Sequence, residues 1–491
     1  MRRKLLLFTI FYTLGVLYAI FILEAGAKKG IIILIFSLLT LFLCNGICKR
    51  IIIPFLLGII FSFIFFSAVF FCPLNHKVDH IDEFSGLILS QDKDKAVFLL
   101  CSTSLPCSVQ VPLNRDNLVG HRVKLRLVLE RPKDGSKTED FNMKNHLYSK
   151  GIFFTSKSCH ILSASDKPVP FLILRNRCSR IKKGFLESLT KTTDETTGSM
   201  AEGLLFGNTS HMDQETLLQF RHNGTAHILA VSGLHIGIIY MVYRRLRKIT
   251  GSSIISFIFV PLLLLYGLMS NWSPSVIRAI SLVMLKLFSE IRNRCFDSLT
   301  ALSLVILISL IINPFSILGI GFQMSFLAAF TLVSLMPFLK RKQPYIHEGI
   351  AVTLLLPVML MPFMLLTFSK ASLNGIVANP PIIFLAGIMV PLGILMLLIY
   401  TMVGTTPVAI SLIFSSLCTF LQKINEFIAY LFPLCLDFTI SALSSTIFYG
   451  FMFFSISETF FIMKKRKMHE ICIFPLLIAI CASAFLLLSI Q

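Results

Sequence analysis

Long apolar runs separated by short polar clusters dominate the chain. Runs of spanning length lie at Leu5–Leu23, Ile31–Ile47 and Ile51–Phe71, and return at Ile228–Tyr243, Ile254–Ser270, Pro274–Glu290, Ser298–Ile312 and Ile317–Leu339. Further runs follow at His347–Ser369, Asn374–Tyr400, Pro407–Cys435, Ser441–Met463 and Ile471–Ile490. A crossing takes roughly 20 apolar residues, so the pattern predicts a polytopic α-helical membrane protein with about 11–13 transmembrane helices, the short and Pro-broken runs setting the spread. The basic Met1–Lys4 start resembles a signal peptide. Its apolar run is too long for one and two more follow at once, so it is read as a retained span.

Between Cys72 and Thr197 the pattern changes to that of a soluble segment. His121–Glu130 alternates Val123, Leu125, Leu127 and Leu129 with Arg122, Lys124 and Arg126, the period-two signature of a half-buried strand. Phe84–Gln91, Ala96–Cys101, Ser108–Val111 and Ile152–Ser156 are further strand candidates. Five short strands predict a small inserted β-barrel of OB type, with a β-sandwich as the alternative. Phe153 and Phe154 beside Lys and Arg would supply stacking and charge for a single nucleic-acid strand. Next, Phe171, Leu174, Cys178, Ile181, Phe185 and Leu189 recur at helical spacing, with Arg175, Arg177, Arg180, Lys182 and Lys183 mostly opposite. That predicts an amphipathic interfacial helix which either anchors to anionic lipid or lines a phosphate route.

Composition agrees with a membrane protein: 55% hydrophobic and 14% charged over 491 residues, with a mean hydropathy of +0.80. The formal charge of +20 suits a phosphate-bearing partner, but much of it is topogenic. The clusters Arg2–Lys4, Lys49–Arg50, Arg244–Lys248, Arg292 with Arg294, Lys340–Lys342 and Lys464–Lys467 share one side if every run crosses once, with Lys28–Lys29 dissenting. That side is the cytoplasm, which puts the N-terminus inside and residues 73–197 outside the cytoplasmic membrane.

The 12 Cys form no CxxC pair and no Cys/His array of zinc spacing. If the insertion is outside, Cys101 and Cys107 are one candidate disulfide, with Cys159 and Cys178 as competitors. His76 to Asp82 imitates a metallo-hydrolase motif at the wrong spacing, and no P-loop is present. No catalytic residue, metal site or cofactor is expected.

The most informative stretch is Gly203–Gly237. Ser210 with Asp213 is expected to cap a short helix, His211–Arg221, ended by Asn223–Gly224. A second helix is expected from Thr225 into the membrane, carrying His227, Ser232 and His235, groups that are costly there unless they face a bundle interior or a watery path. Gly233 and Gly237 form a GxxxG pair that would admit a neighbouring helix backbone.

This stretch resembles the G-T-A-H-x-L-A-x-S-G-L-H motif of the ComEC family of competence proteins, matched by Gly224, Thr225, Ala226, His227, Leu229, Ala230, Ser232, Gly233, Leu234 and His235. Ser273–Pro274 with Arg278–Ala279, then Asn313–Pro314 and Gly321–Gln323 with Ser325–Phe326, agree in the same order. Asp140–Phe141, Leu147 and Gly151–Ile152 resemble the end of the family's OB-like domain. The resemblance implies transmembrane helices over 1–72, the OB-like domain over 73–166, the interfacial helix over 167–197, a channel domain over 198–400 and C-terminal transmembrane helices over 401–491.

It also implies passage of single-stranded DNA into the cytoplasm, with the lipid bilayer as surroundings. A separate DNA receptor, nuclease and cytosolic ATPase or DNA-binding protein are implied, since no nuclease motif was found here, and homo-oligomerisation is left open. Gly224, His227, Ser232, Gly233, His235, Gly237, Arg278, Gln323 and Ser325 are the implied channel residues, and His227, Ser232, His235, Arg278 and Gln323 would form a polar strip across the bilayer. Ala378–Asn379–Pro380–Pro381 departs from the family's A-N-L-L-A-x-P and predicts a differently shaped helix break. A transporter of another anionic solute is the alternative. An intramembrane hydrolase built on Ser232 and His235 is disfavoured, because groups three apart on one helix rarely reach attack geometry.

Overall fold

The computed structural model describes residues 4–25, 47–70, 78–91, 95–100, 107–113, 118–132, 142–251, 254–342 and 348–431, with short pieces between 435 and 449. The expected spans at 31–47 and 471–490, most of that at 441–463, the pair Asp140–Phe141 and Cys101 lie outside these. The chain divides into two compact units: residues 1–211, 230–323 and 390–415 form the first, and residues 212–229, 324–389 and 416–491 the second.

In the first unit, α1 (Lys4–Ala25) pairs with α2 (Ile47–Phe70). Gly15 of α1 faces the Phe55 carbonyl and Gly58 of α2 faces the Tyr12 carbonyl, each so close that a Cβ would collide. Small residues let apolar helices approach closely.

The soluble segment folds into strands β1 (Ile81–Gln91), β2 (Lys95–Leu100), β3 (Cys107–Pro112), β4 (His121–Val128), β5 (Ile152–Thr155) and β6 (Cys159–Pro168), with α3 (Met143–Ser149) before β5. Their order is β5-β3-β2-β1-β4-β6, antiparallel except for β3 with β5. The alternation expected of β4 holds: Val123, Leu125 and Leu127 are buried, while Lys124 and Arg126 face out and pair with Glu83 at 2.7 Å. β6 was not foreseen, because its sequence has no apolar alternation. The expected barrel is not closed by a ladder. One bridge, Glu130 with Thr155 through reciprocal hydrogen bonds of 2.8 Å, joins the end of β4 to β5. Cys159 and Cys178 are free thiols.

The interfacial helix appears as α4 (Ile173–Thr192), followed by α5 (Glu195–Phe206). Cys178, Phe185 and Leu189 are buried as expected, whereas Leu174 is exposed and Asn176 is buried, donating to the Val119 carbonyl at 2.6 Å. Lys182, assigned to the polar face, turns inward instead: its Nζ lies 3.0 Å from Glu202 and over the Phe206 ring.

After α7 (Gly233–Thr250) come α8 (Ile254–Met269), α9 (Pro274–Ile291) and α10 (Ser298–Ile312). Buried Tyr243, Phe259, Leu263, Val276 and Ile280 form a core among α7, α8 and α9. Left-handed Asn271 and Trp272 turn the chain between α8 and α9, and Pro274 opens α9 at a position where its missing N–H is harmless. The 15 residues of α10 rise about 22 Å, less than the roughly 30 Å hydrocarbon core, before Asn313–Pro314 ends it.

α11 (Ile320–Lys342) begins in the first unit and continues in the second. The second unit also holds α6 (Gln214–His222), α12 (Glu348–Phe368) and a small ladder of β7 (Lys370–Ser372) with β8 (Cys435–Asp437). α13 (Gly375–Val403) and α14 (Val408–Leu431) belong to both units in part. α13 runs unbroken through Pro380–Pro381, so the break expected there is absent. Among the described residues, α13 and α14 are long and apolar enough to cross a membrane, and apolar stretches of 10–17 residues recur in six other helices. Among the described residues the chain is thus mostly helical, with one six-stranded mixed sheet and one two-stranded ladder.

Candidate functional site

The motif region differs from the continuous helix expected of it. Asp213, not Ser210, caps α6, accepting from the Glu215 and Thr216 N–H groups at 3.1 and 3.2 Å. Asn223 ends α6 and Gly224 follows at φ +67°, in the left-handed region that favours glycine. The chain then makes a single 3-10 turn, Ala226–Ile228, and does not enter α7 until Gly233. His227 is exposed, its Nδ1 3.1 Å from the Gly224 carbonyl. Hydropathy alone hides this break, because Ile228–Val231 is as apolar as the helix that follows.

Ser232 is the cap of α7. Its Oγ accepts from the Leu234 N–H at 3.2 Å, and its own N–H donates to His235 Nδ1 at 3.1 Å. This is a capping box in which a histidine takes the place usually held by Glu or Gln. Because Nδ1 accepts, the ring proton sits on Nε2. His235 is fully buried, and its Nδ1 also lies 3.2 Å from Ser232 Oγ. The serine and histidine therefore do come within hydrogen-bond reach, contrary to the helical argument, because Ser232 precedes the helix.

Across from this cap, Ser275 of α9 donates to the Val231 carbonyl at 2.6 Å, one turn before Arg278. A Cβ on Gly233 would lie 3.2 Å from Arg278 Nη2, so the guanidinium sits beside the first turn of α7. The close approach at Gly233 is thus to a cationic side chain rather than to a helix backbone. Gly237 has nothing within 4 Å where a Cβ would stand, so the GxxxG contact is not found among the described residues. The first N–H groups of a helix lack intrahelical partners and carry partial positive charge. Arg278 adds a full charge at the same point. The result is a local positive centre suited to a phosphate or carboxylate.

The remaining expected residues do not join one strip. Gln323 donates to the Ile317 carbonyl at 2.6 Å and braces the 3-10 turn Pro314–Leu318. Gly224, His227 and Ser325 belong to the second unit, where Ser325 Oγ is buried with no hydrogen-bond partner among the described residues. Phe153 and Phe154 are buried, Phe153 packing against Tyr148 and Phe315, so neither is a platform for bases.

Three arrangements were missed by sequence reasoning. In the second unit, Asn223 donates to Asn425 Oδ1 at 2.9 Å and accepts from Asn374 at 3.1 Å, while Thr225 donates to the same Asn425 oxygen at 3.0 Å; all four are fully buried. This amide cluster holds the Asn223–Thr225 corner, and the Asn-Gly signal had pointed only to a helix end. In the first unit, Asn313 donates to the Tyr148 and Ser149 carbonyls at 3.0 and 3.1 Å and so ties its Asn-Pro turn to the end of α3. Glu202, nearly buried, meets Lys182, Asn208 and His211 at 3.0, 2.8 and 2.7 Å. Burial pushes its carboxyl up, but the Lys182 ammonium and these hydrogen bonds outweigh that and hold it below the usual range.

A family profile described as Competence protein matches residues 204–464. ComE operon protein 3 of Bacillus subtilis is 24% identical over 265 residues, covering 53% of this chain and 33% of that protein. Recombination protein 2 of Haemophilus influenzae is 26% identical over 218 residues, 39% of this chain and 28% of that protein. The chain thus aligns with about a third of the length of these relatives. No solved structure matches it. The profile spans more than half of the 491 residues and contains the capped start of α7, Arg278 and the amide cluster: the chain belongs to the ComEC family of competence proteins.

Proposed function

We propose that this protein acts in natural transformation, as the path by which single-stranded DNA crosses the cytoplasmic membrane. The observation that carries the reading is the convergence of Arg278 with the first turn of α7. A phosphate in hydrocarbon is prohibitively costly, whereas fixed donors and a helix N-terminus in a hydrated groove lower that cost. Broken helices whose N-terminal ends face an anion inside a membrane are a recurring solution in transporters. The relatives' printed names, a ComE operon protein and a recombination protein, favour DNA over other anions.

In this reading the protein is multi-pass with its N-terminus inside, and the sheet domain lies outside as an OB-like module. A receptor, a nuclease and a cytosolic ATPase act as separate partners. No enzymatic step is assigned to the protein in this reading, and Ser232 and His235 serve the helix cap, Ser232 Oγ accepting from the Leu234 N–H and His235 Nδ1 from the Ser232 N–H. The alternative, transport of another anionic solute, uses the same positive centre. A photo-crosslinker at position 277, beside Arg278, separates them. Capture of labelled DNA during uptake supports the proposal, and capture of a different anion with no DNA supports the alternative.

A further inference from the structure

The opposite ends of α7 and α9 build a second cationic centre. A shallow surface cavity of about 590 Å³, largely open to the outside, lies at their last turns, lined by Arg244, Arg247, Lys248, Glu290, Asn293 and Arg294. Four basic side chains face one carboxylate. Arg247 is fixed, with Nη1 3.1 Å from Glu290 Oε2 and donating to the Tyr243 hydroxyl at 3.1 Å; Tyr240 holds the other Glu290 oxygen at 3.1 Å. Left-handed Asn293 turns the chain so that the Arg294 N–H returns to the Ser289 carbonyl at 2.8 Å, which sets Arg294 at the cavity. Arg244, Lys248 and Arg294 are exposed.

Topogenic charge needs only to be near a span end. It does not require a cavity, nor an arginine locked by a tyrosine and a glutamate. The surroundings indicate the ligand. On the faces of α7 and α9 turned away from the cavity, Leu246, Ile249, Phe288 and Ile291 are large, apolar and 48–81% exposed, as lipid-facing positions would be. A cationic cavity at the ends of helices whose outward faces are apolar suits the phosphate headgroup of a lipid whose acyl chains lie along those faces. Nucleic acid fits less well, because the aromatic residue at the cavity, Tyr243, is buried and stacked on Phe259 at 4.3 Å and so offers bases no platform.

We propose that this cavity binds the headgroup of an anionic phospholipid. The site rests on a membrane location but is independent of strand passage at Arg278, so failure of one leaves the other standing. The test titrates phosphatidylglycerol, phosphatidylcholine, inorganic phosphate and a single-stranded oligonucleotide separately into the detergent-solubilised full chain, with native mass spectrometry as readout. Phosphatidylglycerol should be retained in preference to phosphatidylcholine. The variant Arg244→Gln/Arg294→Gln, which leaves the Arg247–Glu290 pair intact, should weaken that retention about thirtyfold, in line with two surface cations. Equal retention of both lipids, unchanged retention in the variant, or displacement of the lipid by oligonucleotide or phosphate at equal concentration would overturn the proposal.

Discussion

Replacing Asn425 by Ala perturbs the buried amide cluster at its centre. Asn425 Oδ1 receives two hydrogen bonds, from Asn223 at 2.9 Å and Thr225 at 3.0 Å. Both donors keep a second acceptor: Asn223 still reaches the Asn425 backbone carbonyl at 2.5 Å, and Thr225 the Phe220 carbonyl at 3.2 Å. Thr225 thus keeps its one proton paired and Asn223 one of its two amide protons, and the loss is that of about two net hydrogen bonds, about 1 kcal/mol each. A small cavity adds to this. Removing Asn425 Nδ2, which is buried with no partner among the described residues, returns part of the cost. The expected destabilisation is about 2 kcal/mol.

Asn223→Ala should cost more, because it also removes the fully buried hydrogen bond from Asn374 Nδ2 to Asn223 Oδ1 at 3.1 Å. The assay is thermal unfolding of the purified full chain in detergent for both variants and the double variant. Residues sharing a network couple by about 0.5–3 kcal/mol, so the double variant should be less destabilised than the sum. Unchanged melting of Asn425→Ala, or strict additivity, would refute the claim that the cluster holds the Asn223–Thr225 corner.

Gly224→Ala forces a Cβ onto φ +67° and should cost about 1–2 kcal/mol, read as a lowered melting temperature. Burial, with help from Lys150, pushes His146 of α3 down to about 4. The unfolded chain then binds more protons between about 6.5 and about 4, so stability is full above this window and is lost as pH falls through it; His146→Gln should flatten that slope in pH-dependent melting. Glu202→Gln leaves Lys182, only 16% exposed, without its counter-charge and should destabilise by about 3 kcal/mol at neutral pH. Because the Glu202 carboxyl is held low, its contribution is present above the unfolded value near 4.3 and disappears on acidification through the folded value, which the same melts would follow.

What the sequence disclosed follows from how each signal arises. β4 was legible because burial on one face of a sheet writes itself as period-two alternation, and α6 because Asn223–Gly224 is a strong stop. α4 was legible as a helix, but Lys182 was put on the wrong side, since a buried ion pair needs a partner that pattern cannot supply. The start of α7 was misplaced by seven or eight residues because its apolar character begins before its hydrogen bonding does. A serine followed by a histidine at the third position is a weak capping signal beside the usual Ser-x-x-Glu. Arg278 and Ser232 were singled out from the motif, whereas Asn374 and Asn425 were not, because side-chain amides meeting across about 200 residues leave no local trace.

The central claim is tested most directly by DNA delivery in cells expressing Arg278→Ala at the normal level. Labelled DNA should still bind outside the membrane, and none should reach the cytosol, since the fixed charge beside the first turn of α7 is gone; Arg278→Lys should restore part of the transfer through charge without the planar donor fork. Cytosolic delivery by Arg278→Ala at the unmodified protein's rate would contradict the account.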